Sequence, residues 1–445
     1  MLENARGITP ELLKKFKKDF EKDKVACVME HAASKTPLSQ IAYVPKSKVG
    51  NYHQFSIDIK TMKATNQKSS GRCWIFAATN LLRELVGKKI NVDDFELSQN
   101  YLAFYDKLEK INYALESVID LADRDHDDRT LAHIVGYPVG DGGQWDMFKS
   151  LVKKYGVVPK NVMDETYGSS NTRESDMLIN NMIRKFASIA CKLKKENKLE
   201  EIVALKDKTL EDLYRLLVIS FGKPVEKFDF EYVDKDKKYH LVKNLTPLKF
   251  YEKFIGVDID DYVSLINSPT KDKPFYDTFT VDYVGNVIGG DDIHYLNLPM
   301  AELKEVVLKS LKAGEIVWFG SDCGKFSNRE EGMWDIRQYD YELALGLDIL
   351  MNKEDMLDYG HSAMNHAMVI TGVNLEKGVP TKWKIENSWG TDVAKAGYYT
   401  ATDEWFDNFV YQVVVNKKYL TEKELECLKK APHHLNPWDP MGTLA

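Results

Sequence analysis

From Trp74 to Leu85, apolar side chains recur at Trp74, Ala77, Ala78, Leu81, Leu82 and Leu85, the single stripe of an α-helix facing a core. Ser69, Ser70 and Gly71 stand just ahead of it, where capping residues belong, and Gly87 reads as its stop. Other stretches carry the same period. Residues 8–35 predict helix, opened by Thr9-Pro10-Glu11 and carrying Leu12, Leu13, Phe16 and Phe20. Tyr101, Leu102, Tyr105, Leu108 and Ile111 predict a second core-facing helix from Ser98 to about Glu116. Between these two, residues 36–66 read as irregular, broken by Pro37, Pro45 and Gly50, with one alternating piece at Phe55–Ile59. A glycine-dense stretch, Gly136 to Trp145, precedes an amphipathic run over Met147–Val152. Arg173–Asn197 and Leu199–Phe221 are lysine- and glutamate-rich helices without a chemical motif.

Towards the C-terminus the period changes from helical to alternating. Asp277–Val287 and Glu315–Gly320 predict strands around a helix at Ala301–Ala313. His366 heads the β-rich run Ala367–Val373, and Asn387 closes the alternating run that begins at Trp383. Tyr398–Thr402 and Tyr411–Val415 predict further strands, giving an antiparallel sheet or small barrel. Thr421-x-x-Glu424 is a capping box for a last helix. The tail, with Pro437, Trp438 and Pro440, is stiffer than a frayed terminus. The fold class expected is α+β. Residues 1–66 form an N-terminal helical segment and loop, 67–170 a helical lobe, and 171–275 an inserted helical lobe. Residues 276–420 form a β-rich lobe, and 421–445 a C-terminal helix and arm.

Composition narrows the function classes. The 445 residues, 44% hydrophobic and 29% charged, are those of an ordinary globular chain of two or three lobes. No apolar run approaches the roughly 18 residues needed to cross a bilayer. The opening Met1–Pro10 lacks a basic and then apolar signal segment, so a cytoplasmic location is expected. Five scattered cysteines without a C-x-x-C pair fit neither a disulfide framework nor structural zinc, and no metal or cofactor is expected. Asp123–Arg129, with His126, reads as a solvated charged turn rather than a metal site. A net charge of −7 argues against nucleic acid as a partner.

The candidate chemistry sits at Cys73. In the first helical turn the unpaired N–H groups and the helix dipole favour an anion, so a thiol there is expected to have its pKa lowered and to act as a nucleophile. A buried, inert cysteine is the alternative. A nucleophile needs a base, a group to orient the base, and donors for the oxyanion. His366, Asn387 and Gln67 supply these in the order Gln, Cys, His, Asn. Gly142 and Gly143 would let an extended peptide approach the backbone closely.

These same residues carry a resemblance. Gln67-x5-Cys73-Trp74, Asn365-His366-Ala367 and Asn387-Ser388-Trp389-Gly390 resemble the active-site blocks of papain-like cysteine peptidases. Arg72 stands where the commoner signature has Ser or Ala, and Cys73 and His366 lie farther apart than the roughly 130–150 positions usual there. Both departures, with the ending Pro437-Trp-Asp-Pro-Met-Gly442, are similar to the bleomycin hydrolases and bacterial aminopeptidase C. The resemblance implies a papain-like fold with a helical insertion and a C-terminal arm lying in the active-site groove. It implies a cysteine aminopeptidase with Cys73 as nucleophile, His366 as base, Asn387 as its orienter and Gln67 as oxyanion donor. Gly142, Gly143, Asn365, Trp389 and the carboxylate of Ala445 would meet or flank a peptide substrate with a free N-terminus. A homohexamer is also implied. An endopeptidase of the same fold, a non-catalytic assembly or nucleic-acid-binding protein on that scaffold, and a zinc peptidase (no H-E-x-x-H is present) are the other readings.

Overall fold

A computed structural model describes residues 5–445; residues 1–4, the first part of the stretch read above for a signal segment, lie outside the described residues. The centre of the molecule is a twelve-stranded sheet. Its middle runs, neighbour by neighbour, through Tyr262–Ile266, Val410–Asn416, Val317–Ser321, His366–Glu376, Val379–Glu386 and Tyr398–Thr402, all antiparallel. The flanks depart from the antiparallel expectation. Tyr295–Asn297 joins Tyr262–Ile266 in parallel, and Met333–Trp334 joins Tyr398–Thr402 in parallel. The arm segment His433–Leu435 adds a further parallel strand on Thr278–Val281.

The sheet is buried on both faces, which explains the unbroken apolar runs of its central strands. Successive side chains point to opposite sides. Trp318 and Val369 therefore join the core shared with the helices, while Val317, Phe319, Met368 and Ile370 join the core on the far face. The helix Cys73–Ile90 packs on the first face against His366–Glu376. Gln99–Asp120 and Trp145–Tyr155 complete the helical side, with Arg173–Lys195 and Leu199–Phe221 stacked on Gln99–Asp120.

Several local expectations are corrected. The N-terminal helix is two helices, Pro10–Lys22 and Lys24–Ala33, because Asp23 ends one and its carboxylate caps the next through the Ala26 N–H at 3.0 Å. Gly87 lies inside the Cys73 helix, which runs on to Ile90 and ends where Asn91 adopts a left-handed conformation. Glycine is needed at Gly87 for space: a Cβ there would stand 2.1 Å from the Met62 side chain. Ser69 and Ser70 do not cap the helix either. Arg72 is the N-cap, without a side-chain cap bond, and the Ser70 hydroxyl donates to the Gln67 carbonyl at 2.6 Å. The stretch 171–275 is not wholly helical. It holds the hairpin Phe228–Val233 with Tyr239–Leu245, and Tyr262–Ile266 already belongs to the central sheet. Among the described residues no helix is long and apolar enough to cross a membrane.

Candidate active site

Cys73 opens its helix at the floor of a groove of about 800 Å³. The loop before it is tied at several points. Gln67 donates its main-chain N–H to Ser388 O at 2.9 Å and one amide hydrogen to Ser70 O at 2.7 Å, leaving the second amide hydrogen uncommitted. Arg72 extends through the interior as a fork on Glu165, with N–O distances of 3.2 and 2.8 Å, and its Nε reaches the Ser70 hydroxyl at 2.9 Å. That accounts for an arginine at this position: a small residue could not span from the loop to Glu165. The thiol accepts from the Ala367 N–H at 3.4 Å, which brings the start of the histidine strand onto the sulfur.

His366 heads its strand beside Ser321, and both it and Cys73 line the groove. Its Nε2 lies 2.8 Å from Asn387 Oδ1, an oxygen that also accepts the Ser388 N–H at 2.7 Å. With Nε2 engaged there, Nδ1 is the ring nitrogen left for the thiol. The Trp389 ring stacks on the imidazole at 5.0 Å between centroids and covers the His–Asn bond. Glu386, next to Asn387, receives Arg83 Nη2 at 2.8 Å and Asn80 Nδ2 at 3.0 Å from the nucleophile helix. A single buried carboxylate thus ties the Asn387 strand end to the helix that carries Cys73.

The site is dry. Cys73, His366 and Asn387 are 4%, 5% and 0% exposed. Burial pushes the Cys73 thiol up to about 11, against the pull of the Ala367 and Trp74 N–H groups. It pushes the His366 imidazole down to about 4, against the Asn387 bond. The lowered thiol pKa expected from the helix terminus is therefore not met for a lone thiolate, because desolvation outweighs the first-turn N–H groups. Each shift measures the cost of one charge appearing alone. A proton passed from sulfur to ring creates both charges together, and each then serves as the other's counter-ion.

The arm enters the same groove. Thr443, Leu444 and Ala445 line it beside Gln67, Cys73 and His366. Anchors hold it: Lys273 pairs with Asp439 at 2.9 Å, Tyr295 OH donates to Met441 O at 3.0 Å, and the Thr443 hydroxyl donates to Met364 O at 2.8 Å. The Arg129 guanidinium lies 3.9 Å over the Trp438 ring. The glycine pair has two distinct reasons. A Cβ on Gly142 would stand 2.2 Å from Leu444 O, so the backbone it admits is the chain's own arm. A Cβ on Gly143 would strike the Trp74 ring at 2.5 Å.

The structure thus brings Gln67, Cys73, Gly142, Asn365, His366 and Ala445 to one groove, with Asn387 and Trp389 behind the histidine. Asn365 donates one amide hydrogen to Asp322 Oδ1 at 2.6 Å and accepts the Cys323 N–H at 3.1 Å, so its side chain ties down the strand start. Sequence reasoning missed Glu386, Glu165, Asp322 and Asp141. Asp141, directly before the glycine pair, and Glu386, directly before Asn387, stood beside recognised motifs. Among the described residues, no group of three or more His, Cys, Asp or Glu is placed to hold a metal ion.

Known proteins share this sequence and fold over nearly the whole chain. The model of the Peptidase C1-like family matches residues 7–442. Aminopeptidase C of Listeria monocytogenes is 43% identical over 438 residues, covering 98% of this chain and 99% of that protein. Aminopeptidase C of Lactobacillus delbrueckii subsp. lactis is 44% identical, covering 99% of both. The crystal structure of PepW from Lactobacillus rhamnosis superposes with a TM-score of 0.97 at 46% identity, covering 99% of each chain. With a full-length family match and relatives above 40% identity, this chain belongs to the Peptidase C1-like family.

Proposed function

We propose that the protein is a cysteine aminopeptidase that releases residues from peptides with a free N-terminus. The observation that carries this reading is the sharing of one groove by Cys73, His366 and the last three residues of the arm. His366 takes the thiol proton, and the sulfur attacks the substrate carbonyl. The resulting oxyanion is met by the Cys73 N–H, left without a partner at the helix start, and by the second amide hydrogen of Gln67, each donor contributing roughly 3 kcal/mol. Collapse of the adduct forms a thioester and expels the amine, which leaves with the proton held by His366. Water then gives a proton to His366 and attacks the thioester, releasing the acid and restoring the thiol. Asn387 fixes the ring orientation throughout, and Trp389 keeps water from their bond. The substrate meets the main chain of Asn365.

The α-carboxylate of Ala445 supplies the specificity. No described cation pairs with it, so it is free to meet a substrate ammonium. An arm that fills the groove on that side leaves room for one residue between the ammonium and the scissile bond. Hydrolysis of a free peptide and of its N-acetylated counterpart tests this: at least about a 100-fold preference for the free form is expected from one charge-assisted contact plus the excluded acetyl group. Equal rates would instead establish an endopeptidase.

We further propose a cytoplasmic homohexamer. Association between copies is supported by the helix Pro10–Lys22, which buries none of its residues and leaves Leu13, Phe16 and Phe20 exposed on one face, while the number six rests on the family resemblance and the compartment on the free cysteines. Sedimentation equilibrium checks this; a monomer at micromolar concentration would rule the hexamer out.

A further inference from the structure

Asp141 makes more polar contacts than any function assigned so far requires, and they converge from three parts of the chain. Its Oδ2 accepts the Gly71 N–H at 2.7 Å and the Thr172 hydroxyl. Its Oδ1 pairs with Lys107 Nζ at 2.8 Å, and that ammonium also pairs with Asp176 at 2.5 Å. Its main-chain carbonyl accepts the Trp74 indole N–H at 2.7 Å. The neighbouring Gly142 lies against Leu444 O, and the Lys110 ammonium, itself paired with Asp106 at 2.7 Å, donates to Gly142 O. We infer that Asp141 is a positioning residue that holds the Gln67–Cys73 loop and the arm's resting place at a fixed separation.

The loop needs such a hold. Between Gln67 and Cys73, Lys68 is held at φ 54°, a left-handed conformation that a lysine keeps only where its surroundings over-determine it. A main-chain N–H on a carboxylate is among the stronger hydrogen bonds available for that purpose. Close packing adds to it, since a Cβ on Gly71 would stand 2.8 Å from Asp141 Cβ. Asp141 is also unsuited to hold a substrate cation, although it lines the groove. Its charge is already committed: burial works against the carboxylate, but Lys107 and the Thr172 and Gly71 donors outweigh it and keep the group ionised well below the usual carboxylate range. Thr172 and Asp176 flank the start of the helix Arg173–Lys195, so the same residue couples the helices of the 171–221 region to the nucleophile loop.

This inference rests on the proposed roles of Cys73 and Gln67. The test measures kcat and KM on a dipeptide with a free N-terminus for the parent, D141A and D141N, together with iodoacetamide alkylation of Cys73, which needs no oxyanion hole. In D141A, kcat should fall about 100- to 1,000-fold, the cost of one misplaced oxyanion donor. The alkylation rate should stay within about threefold, because alkylation does not depend on that donor, whereas KM on the dipeptide should rise several-fold, because the arm's carboxylate shifts with its seat at Gly142. D141N keeps an oxygen for the Gly71 N–H and should lose only about three- to tenfold in kcat, since one ionic contact of several is removed. An unchanged kcat in D141A overturns the inference, as does a parallel loss of kcat and alkylation, which marks general collapse of the site. If D141A does not fold, an unchanged kcat in D141N overturns it instead. A parent without peptidase activity defeats the proposed function itself, whereas an active parent with an unaffected D141A defeats this inference alone.

Discussion

Replacing Cys73 with alanine abolishes peptide hydrolysis, with kcat falling about 10⁴- to 10⁶-fold, the range seen when a covalent nucleophile is removed and only binding and oxyanion contacts remain. Cys73 is the only cysteine among the described residues lining the groove. Its sulfur is the atom on which the Ala367 N–H converges, at the edge where His366 begins its strand. Folding should be preserved, since the side chain lost is small and its own donated contact, to Gly71 O at 3.9 Å, is weak. Cys73→Ser provides the sharper comparison. It keeps a donor and acceptor of similar shape, yet a hydroxyl gives up its proton far less readily than a thiol, so serine should rescue little activity. Thermal unfolding within a few degrees of the parent, combined with lost turnover, is the expected pair of measurements. Substantial turnover in C73A would mean that the nucleophile lies elsewhere.

The second large effect belongs to the arm. Deleting Gly442–Ala445, or extending the chain beyond Ala445, should lower kcat/KM on free dipeptides by about 10- to 100-fold, the equivalent of one charge-assisted contact of 1.5–3 kcal/mol. The same changes should open the groove to N-acetylated peptides, which the parent excludes. The two constraints are separable. Extension by one residue moves the carboxylate while keeping Leu444 in its buried seat, whereas deletion empties the groove altogether. Extension should therefore cost exopeptidase activity with a small gain in endopeptidase activity, and deletion should produce the larger gain. If neither change alters the ratio of free to acetylated cleavage, the carboxylate does not measure the substrate.

Much of this site can be read from the chain without coordinates, and the reason is periodicity. The stripe from Trp74 to Leu85 identifies the nucleophile helix because those side chains pack into the core shared with the sheet, although Ile75, Phe76, Thr79, Asn80 and Arg83 between them are buried too. The runs after His366 and before Asn387 identify neighbouring strands because alternate residues are buried on opposite faces. What stays hidden are the contacts without a period. Arg72 to Glu165 spans 93 positions, and Arg83 to Glu386 spans 303. The chemistry of an arginine does not say which carboxylate it will meet. Capping failed for a related reason: Ser70 had two uses available, and its hydroxyl serves the loop rather than the helix. Of the glycine pair, only Gly142 meets a backbone, and that backbone is the protein's own arm at Leu444; Gly143 makes room for the Trp74 ring.

That last contact also bears on inhibitor design. The arm is a ligand tethered to its receptor, so its local concentration is set by the chain rather than by dilution, in the millimolar range for a short tether. Its anchors at Asp439, Met441 and Thr443 raise occupancy further. A compound that draws its affinity from the part of the groove the arm fills must displace this permanent competitor and will bind weakly here, even where it is potent against enzymes with an open groove. Selectivity between such enzymes can therefore be obtained from a segment that contributes no atom to the chemistry.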